Sequence, residues 1–218
     1  MNNTITTPFR SYTGVAIALA WPDTYCKQAG AWYDPIMNLA GIAKNNYYKV
    51  GHAALVLINK LDGNCYYYDF GRYHAPFGSG RVRSAYTDHD LAIPLQAVFG
   101  ESGQLLNLDE IMLFLTANSA CHGTGAVHAG CCELNFEKSK KVAINMQLRS
   151  PITYGPFVWQ GTNCSRFVRS VLLAGRPGLF TYLRLLIPDT ISPTPLANVR
   201  AVGKIGSWSP CLSLSYAG

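Results

Sequence analysis

The best strand pattern in the chain is Gly51-His52-Ala53-Ala54-Leu55-Val56-Leu57-Ile58. It does not alternate with polar residues, which is the pattern of a strand buried on both faces. Asp62-Gly63 follows as a turn signal, and Cys65-Tyr66-Tyr67-Tyr68-Asp69-Phe70 supplies aromatic residues for a returning strand. An antiparallel hairpin from His52 to Tyr73 is predicted. Gly14 to Ala20 is small and β-branched, and stops at Trp21-Pro22, where proline cannot donate to a ladder, so it reads as a short strand. Two stretches carry a helical period instead. From Ala31 to Ala43, Trp32, Ile36, Leu39 and Ile42 recur at spacings of four, three and three. From Asn163 to Ala174, Phe167, Val168, Val171 and Leu172 share one face; Thr162 or Asn163 can cap the start, and Gly175 with Pro177 stops the end. Periodicity alone leaves the apolar run Asp109 to Thr116 between the two states; we read it as a helix. Gly71, Pro76, Gly78 and Gly80 mark a loop, and the tail from Pro188, with Pro193, Pro195, Gly203, Gly206 and Pro210, is expected to wrap the surface.

Composition narrows the class. The chain has 218 residues, 49% apolar and only 14% charged, so it reads as one folded domain over residues 1–218 with a glycine-rich insertion around 71–150. Gly14 to Trp21 is far too short to cross a bilayer, and no membrane span is expected. Arg10 followed by Val15 to Ala20 only faintly resembles a signal peptide, which makes secretion the minority reading. Seven cysteines, an odd number, in a chain able to bury a core point to reduced thiols and the cytoplasm rather than to a disulfide framework. Eighteen basic residues against twelve acidic give +6, but the longest basic run is Lys138-Ser139-Lys140-Lys141, so no nucleic-acid partner is expected.

Candidate chemistry centres on Cys164, in Gly161-Thr162-Asn163-Cys164-Ser165-Arg166-Phe167-Val168 at the first turn of a predicted helix. Free N–H groups and the positive end of the helix dipole favour the thiolate there, although Cys164 also shares a face with Phe167, Val168 and Val171 and, taken alone, reads slightly better as a small core residue. His52, heading a buried strand, can take the thiol proton and return it to a leaving group; its alternative is a core histidine bonded to backbone. Asp69 on the return strand can orient the imidazole, and so can His74 if the hairpin is bulged or its turn is longer. A symmetric turn at Asp62-Gly63 would instead put Tyr73 across from His52. The structural alternative for Asp69 is an ion pair with Arg72 or Arg81. Cys121-His122, His128 and Cys131-Cys132 hold zinc-type ligands without a matched C-x-x-C pair, so no metal and no cofactor is expected. Asp88-His89-Asp90 reads as an exposed turn or a helix start.

Taken together, a histidine leading a buried strand, a polar residue on the next strand and a cysteine at a helix start about a hundred residues later resembles the circularly permuted branch of the NlpC-like papain-fold cysteine peptidases, relatives of lecithin-retinol acyltransferase. Unpermuted members place the cysteine helix first, in a stretch reading Tyr, several residues, then Asp-Cys-Ser-Gly and two apolar residues. Tyr154 and Asn163-Cys164-Ser165-Arg166-Phe167-Val168 resemble that stretch, with Asn163 for the aspartate and Arg166 for the glycine. The resemblance implies an α+β, permuted papain-like fold in which a nucleophile helix packs on an antiparallel sheet. It implies Cys164 as nucleophile, His52 as base and Asp69 as orienter, with Tyr154 lining the cleft near the oxyanion; Asn163, which departs from the family pattern, is a further substrate-binding candidate. The function implied is thiol-dependent hydrolysis or acyl transfer on a small peptide, amide or acyl substrate; the competing class is an inert binding module on the same fold.

Overall fold

The computed structural model describes residues 12–28, 34–39, 43–44, 47–187 and 192–208. In chain order the elements are β1 (Gly14–Trp21), β2 (Tyr25–Lys27), α1 (Asp34–Leu39), β3 (Ala43–Lys44), β4 (Tyr47–Lys49), β5 (His52–Asn59), β6 (Cys65–Gly71) and β7 (Ser79–Arg83). They continue with α2 (Leu108–Ala117), β8 (Val127–Leu134), α3 (Phe136–Leu148), β9 (Ile152–Thr153), α4 (Cys164–Ala174), α5 (Leu179–Leu186), α6 (Pro195–Val202) and β10 (Lys204–Trp208). The main sheet runs β10-β8-β1-β5-β6-β7-β9, and every neighbouring pair in it is antiparallel. A small sheet, β2-β4-β3, stands beside it. The class is α+β, as expected.

The sheet has a core on each face. Helices α3 to α6 cover one, where Ala16, Ala18 and Ala20 of β1 and Leu55 and Leu57 of β5 meet Phe167, Val168, Val171 and Val199. Helix α2 covers the other, where Val15, Ile17, Leu19, Val56 and Ile58 meet Ile111, Met112 and Leu115. Strand β1 thus alternates small residues towards the helices with large ones towards α2, so both faces are apolar and the two-residue period disappears from the sequence. Small residues are needed on the helical side. A Cβ on Gly130 of β8 would lie 2.5 Å from the carbonyl oxygens of both Val199 and Gly203, where α6 ends against the strand.

The hairpin of β5 and β6 forms, but its connection is longer than a two-residue turn. Ile58 pairs with Cys65, and Asn59 N–H donates to the Asn64 carbonyl, so Lys60 to Gly63 form the loop, with Gly63 at φ 70° where glycine is favoured. Residues 71–150, expected as a glycine-rich insertion, supply β7, α2, β8 and α3; β8 pairs with β1 from Gly14–Leu134 to Ala20–His128. The tail differs from expectation as well. Pro195 is the first residue of α6, where its missing N–H costs nothing, Thr194 caps that helix, and Gly203 at φ 98° ends it before β10 joins the sheet. Of the helix expected over 31–43, α1 covers Asp34–Leu39 and Ala43 belongs to β3; the remainder lies outside the described residues, as does Pro210.

Candidate active site

Strand pairing decides which carboxylate His52 meets. His52 opens β5 opposite Trp21 of β1, and Asp69 of β6 pairs with Ala54, one diagonal step from His52 on the same face. Nε2 of His52 lies 3.4 Å from Asp69 Oδ2 and 3.3 Å from Tyr73 Oη. His74, the other candidate orienter, sits at φ 48° in the following loop and lines a neighbouring cavity instead.

Asp69 is fully buried and shared by four side chains. Arg83, directly opposite it on β7, donates through Nε at 3.0 Å to Oδ1 and through Nη2 at 2.6 Å to Oδ2. The hydroxyls of Tyr67 and Tyr73 donate to Oδ2 at 3.2 and 3.3 Å. The ion pair of Asp69 is therefore with Arg83, not with Arg72 or Arg81; Arg81 makes a bidentate pair with Asp88. The Arg83 guanidinium lies over the Tyr73 ring at 3.6 Å, and His122 stacks on Tyr73 at 5.0 Å. Burial alone would push the Asp69 carboxyl up, yet its hydrogen bonds to His52 and Arg83 hold it below the usual range. It stays a carboxylate.

Cys164 is the first residue of α4. Asn163 caps that helix, its side chain accepting from Arg166 N–H at 2.8 Å. Phe167, Val168, Val171 and Leu172 bury the helix against the sheet, which brings the thiol to the head of β5. Burial opposes the thiolate, but the hydrogen bond and charge of His52, the Ala53 N–H and the Ser165 hydroxyl together lower the Cys164 pKa. Burial likewise opposes the imidazolium, and the hydrogen bonds to Asp69 and Cys164 raise His52 to about 9. Each group favours the charged form of the other. The described cysteines other than Cys26 show the opposite shift: burial pushes Cys65 up to about 11, and Cys121, Cys131 and Cys132 up to about 12.

Cys164 lies where two cavities meet. One, about 800 Å³, is walled by His52, Arg72, Tyr73, Asn118, His122 and Tyr154; the other, about 200 Å³, by Tyr48, Val50, Tyr154, Phe157, Asn163 and Pro195. Tyr154 separates them, stacked on Phe70 at 5.8 Å, with its hydroxyl 3.4 Å from Cys26 Sγ. Arg166 does not block either cavity: its Nη1 donates to the carbonyls of Gly155, Pro156 and Val158 at 3.3, 3.3 and 3.4 Å, which fixes the loop before α4. The cysteine and histidine cluster of the sequence is dispersed, with Cys131 and Cys132 on opposite faces of β8, and among the described residues no three His, Cys, Asp or Glu side chains gather to hold a metal. Cys211 lies outside the described residues; the other six cysteines are free of disulfides.

The sequence reading set Tyr73 near His52 but missed Tyr67, Tyr73 and Arg83 as donors to Asp69. The available signal was Asp69 itself, because a carboxylate in an aromatic strand needs buried donors.

Among the described residues no helix is long and apolar enough to cross a membrane. No curated protein matches the chain. A solved structure described as the crystal structure of the Type VI secretion system effector TseH resembles it with a TM-score of 0.57 and 19% identity, over 92% of this chain and 94% of that one. That likeness is one of fold. The sequence itself matches the Type VI secretion system effector TseH-like family over residues 16–177, most of its length, and the chain belongs to that family.

Proposed function

We propose that the protein is a cysteine-dependent hydrolase or acyl transferase acting on an amide or ester, with a small peptide or related amide as the favoured substrate. In this reading the chain is a permuted papain-like enzyme, its histidine strand preceding its nucleophile helix. The observation that carries the reading is that Cys164 and His52 line the same open cavity, with Asp69 Oδ2 3.4 Å from the ring's Nε2, a setting that shifts the thiol down and the imidazole up. Cys164 Sγ attacks the substrate carbonyl carbon, and the Cys164 backbone N–H, free at the first turn of α4, donates to the developing oxyanion. The His52 imidazolium gives its proton to the leaving nitrogen or oxygen as the thioester forms. It then takes a proton from water, or from an acceptor nucleophile, as the thioester is cleaved. Asp69 holds the ring through Nε2, leaving Nδ1 for the thiol. Tyr154 and Asn163 line the substrate path. Among the described residues Cys65, Cys121, Cys131, Cys132 and Cys164 form no disulfide, which suits a chain made in the reducing cytoplasm, and the family name suggests later export.

Limited iodoacetamide labelling at about pH 6, read by peptide mapping, tests this reading because it reports thiolate rather than thiol. Cys164 is expected to label first, His52→Ala to slow that labelling, and Asp69→Asn to slow it less. Faster labelling of another cysteine, or a Cys164 rate indifferent to His52→Ala, would favour an inert binding module.

A further inference from the structure

Helix α5 is built the wrong way round for a helix that serves only the core. Of its apolar residues Leu185 is buried, at 2% exposure, whereas Leu179 (62%), Phe180 (80%), Leu183 (44%) and Leu186 (42%) face solvent, followed by Ile187 (75%). Positions i, i+1, i+4, i+7 and i+8 fall on one helical stripe, so the five side chains form a continuous apolar band.

A second exposed aromatic residue stands on a loop tied to the same helix α4 that holds α5. Arg169 of α4 donates to the carbonyls of Leu185 and Leu186 at the end of α5, the latter at 2.8 Å. Arg166, one turn earlier on α4, grips the carbonyls of residues 155, 156 and 158. Residues three apart on a helix are neighbours, so the loop and the end of α5 are held on the same side of the molecule. Trp159, 89% exposed, stands on that loop.

Charge indicates what this side meets. The net +6 is uneven: from Lys138 to the end the chain has ten lysines and arginines against one acidic residue, Asp189, while the first 137 residues carry a small acidic excess. Arg176 precedes α5 and Arg184 lies within it, both exposed. Exposed Trp, Phe and Leu beside arginines are the composition of a helix that rests in a membrane interface. A second copy would oppose arginines to arginines. Among the described residues α5 contributes to neither of the cavities at Cys164, so the band is separate from the candidate substrate path.

We propose that the α5 band and Trp159 form a docking surface for an anionic lipid bilayer, on which the protein lies without spanning it. The surface adjoins the catalytic cleft: residues 156 and 157, on the Trp159 loop, line the smaller cavity at Cys164. A docked molecule would present that cavity close to the lipid headgroups. The proposal does not depend on the catalytic reading.

The test is co-sedimentation of the full chain with vesicles of equal parts phosphatidylglycerol and phosphatidylcholine, compared with phosphatidylcholine alone. Binding is expected with the anionic vesicles only, and raising the salt tenfold is expected to weaken it. Leu183→Glu is expected to reduce partitioning at least tenfold and Phe180→Ser to reduce it less. Arg184→Glu is expected to reduce it about fivefold or more, while Leu61→Glu, at another exposed leucine on the β5–β6 loop, should leave it unchanged. Unaltered melting temperatures would show that the variants remain folded. Failure of the unmodified chain to bind anionic vesicles, equal binding by folded Leu183→Glu, or a dimer that Leu183→Glu dissociates would each overturn the proposal.

Discussion

Asp69 and Arg83 face each other across β6 and β7, and this pair sets the electrostatics at His52. The carboxylate is neutralised by the guanidinium before it acts on the imidazole, so part of the rise to about 9 must come from Cys164. The two titrations belong to the pair rather than to either residue. In the proposed mechanism the rate falls below the lowered Cys164 pKa, where the thiol is protonated, and above about 9, where His52 loses the proton it would give to a leaving group. Substrate turnover should therefore form a bell with its alkaline limb near 9. Arg83→Leu removes one partner of a buried pair and is expected to cost about 3–5 kcal/mol, read from chemical unfolding. If it folds, the unmasked Asp69 should move the alkaline limb upward. A limb that stays in place would show that Arg83 does not modulate His52.

At the level of elements, α4 carries Cys164, the nucleophile of the proposed mechanism, and its start is fixed by Asn163. Asn163→Ala removes the cap bond to Arg166 N–H and is expected to cost about 1 kcal/mol. It should also slow iodoacetamide labelling of Cys164 while leaving the label there, which peptide mapping would show. This helix was legible because its apolar face, cap and stop residues all lie within a dozen positions. The hairpin was legible for a related reason, and its error was harmless. A two-residue turn and the observed Lys60–Gly63 loop differ by two register positions, so every side chain keeps its face and Asp69 remains on the His52 side. Arg83 was not legible, because its role depends on β7 pairing with β6, and nothing near residue 83 announces that register. The tail was misread because Pro195 and Gly203 mark the ends of a helix as readily as a loop.

For the molecule as a whole, one sheet stands between two cores, and the two are expected to melt together. Leu57→Ala, on the face covered by α3 to α6, and Ile111→Ala, under α2, should each cost about 2–5 kcal/mol. Both should lower a single transition seen alike by near-ultraviolet circular dichroism and by exposure of Cys164 to alkylation. Two separated transitions would mean that the faces fold independently. The whole sheet was the least legible level: β8 pairs with β1 across more than a hundred residues, and no local pattern encodes that meeting.

Chain order also gives the site a timetable. His52, Asp69 and Arg83 are synthesised first, and Cys164 follows only after β8 and α3, with α6 and β10 still to come. A ribosome-bound fragment that ends before α4 holds the proposed base without the proposed nucleophile, and one that has just passed it lacks the α6 residues that pack beside α4. In the proposed mechanism the reactive pair is thus assembled only after β8, α3 and α4 have been made, so a chain stalled before α4 would carry no reactive thiolate at this site.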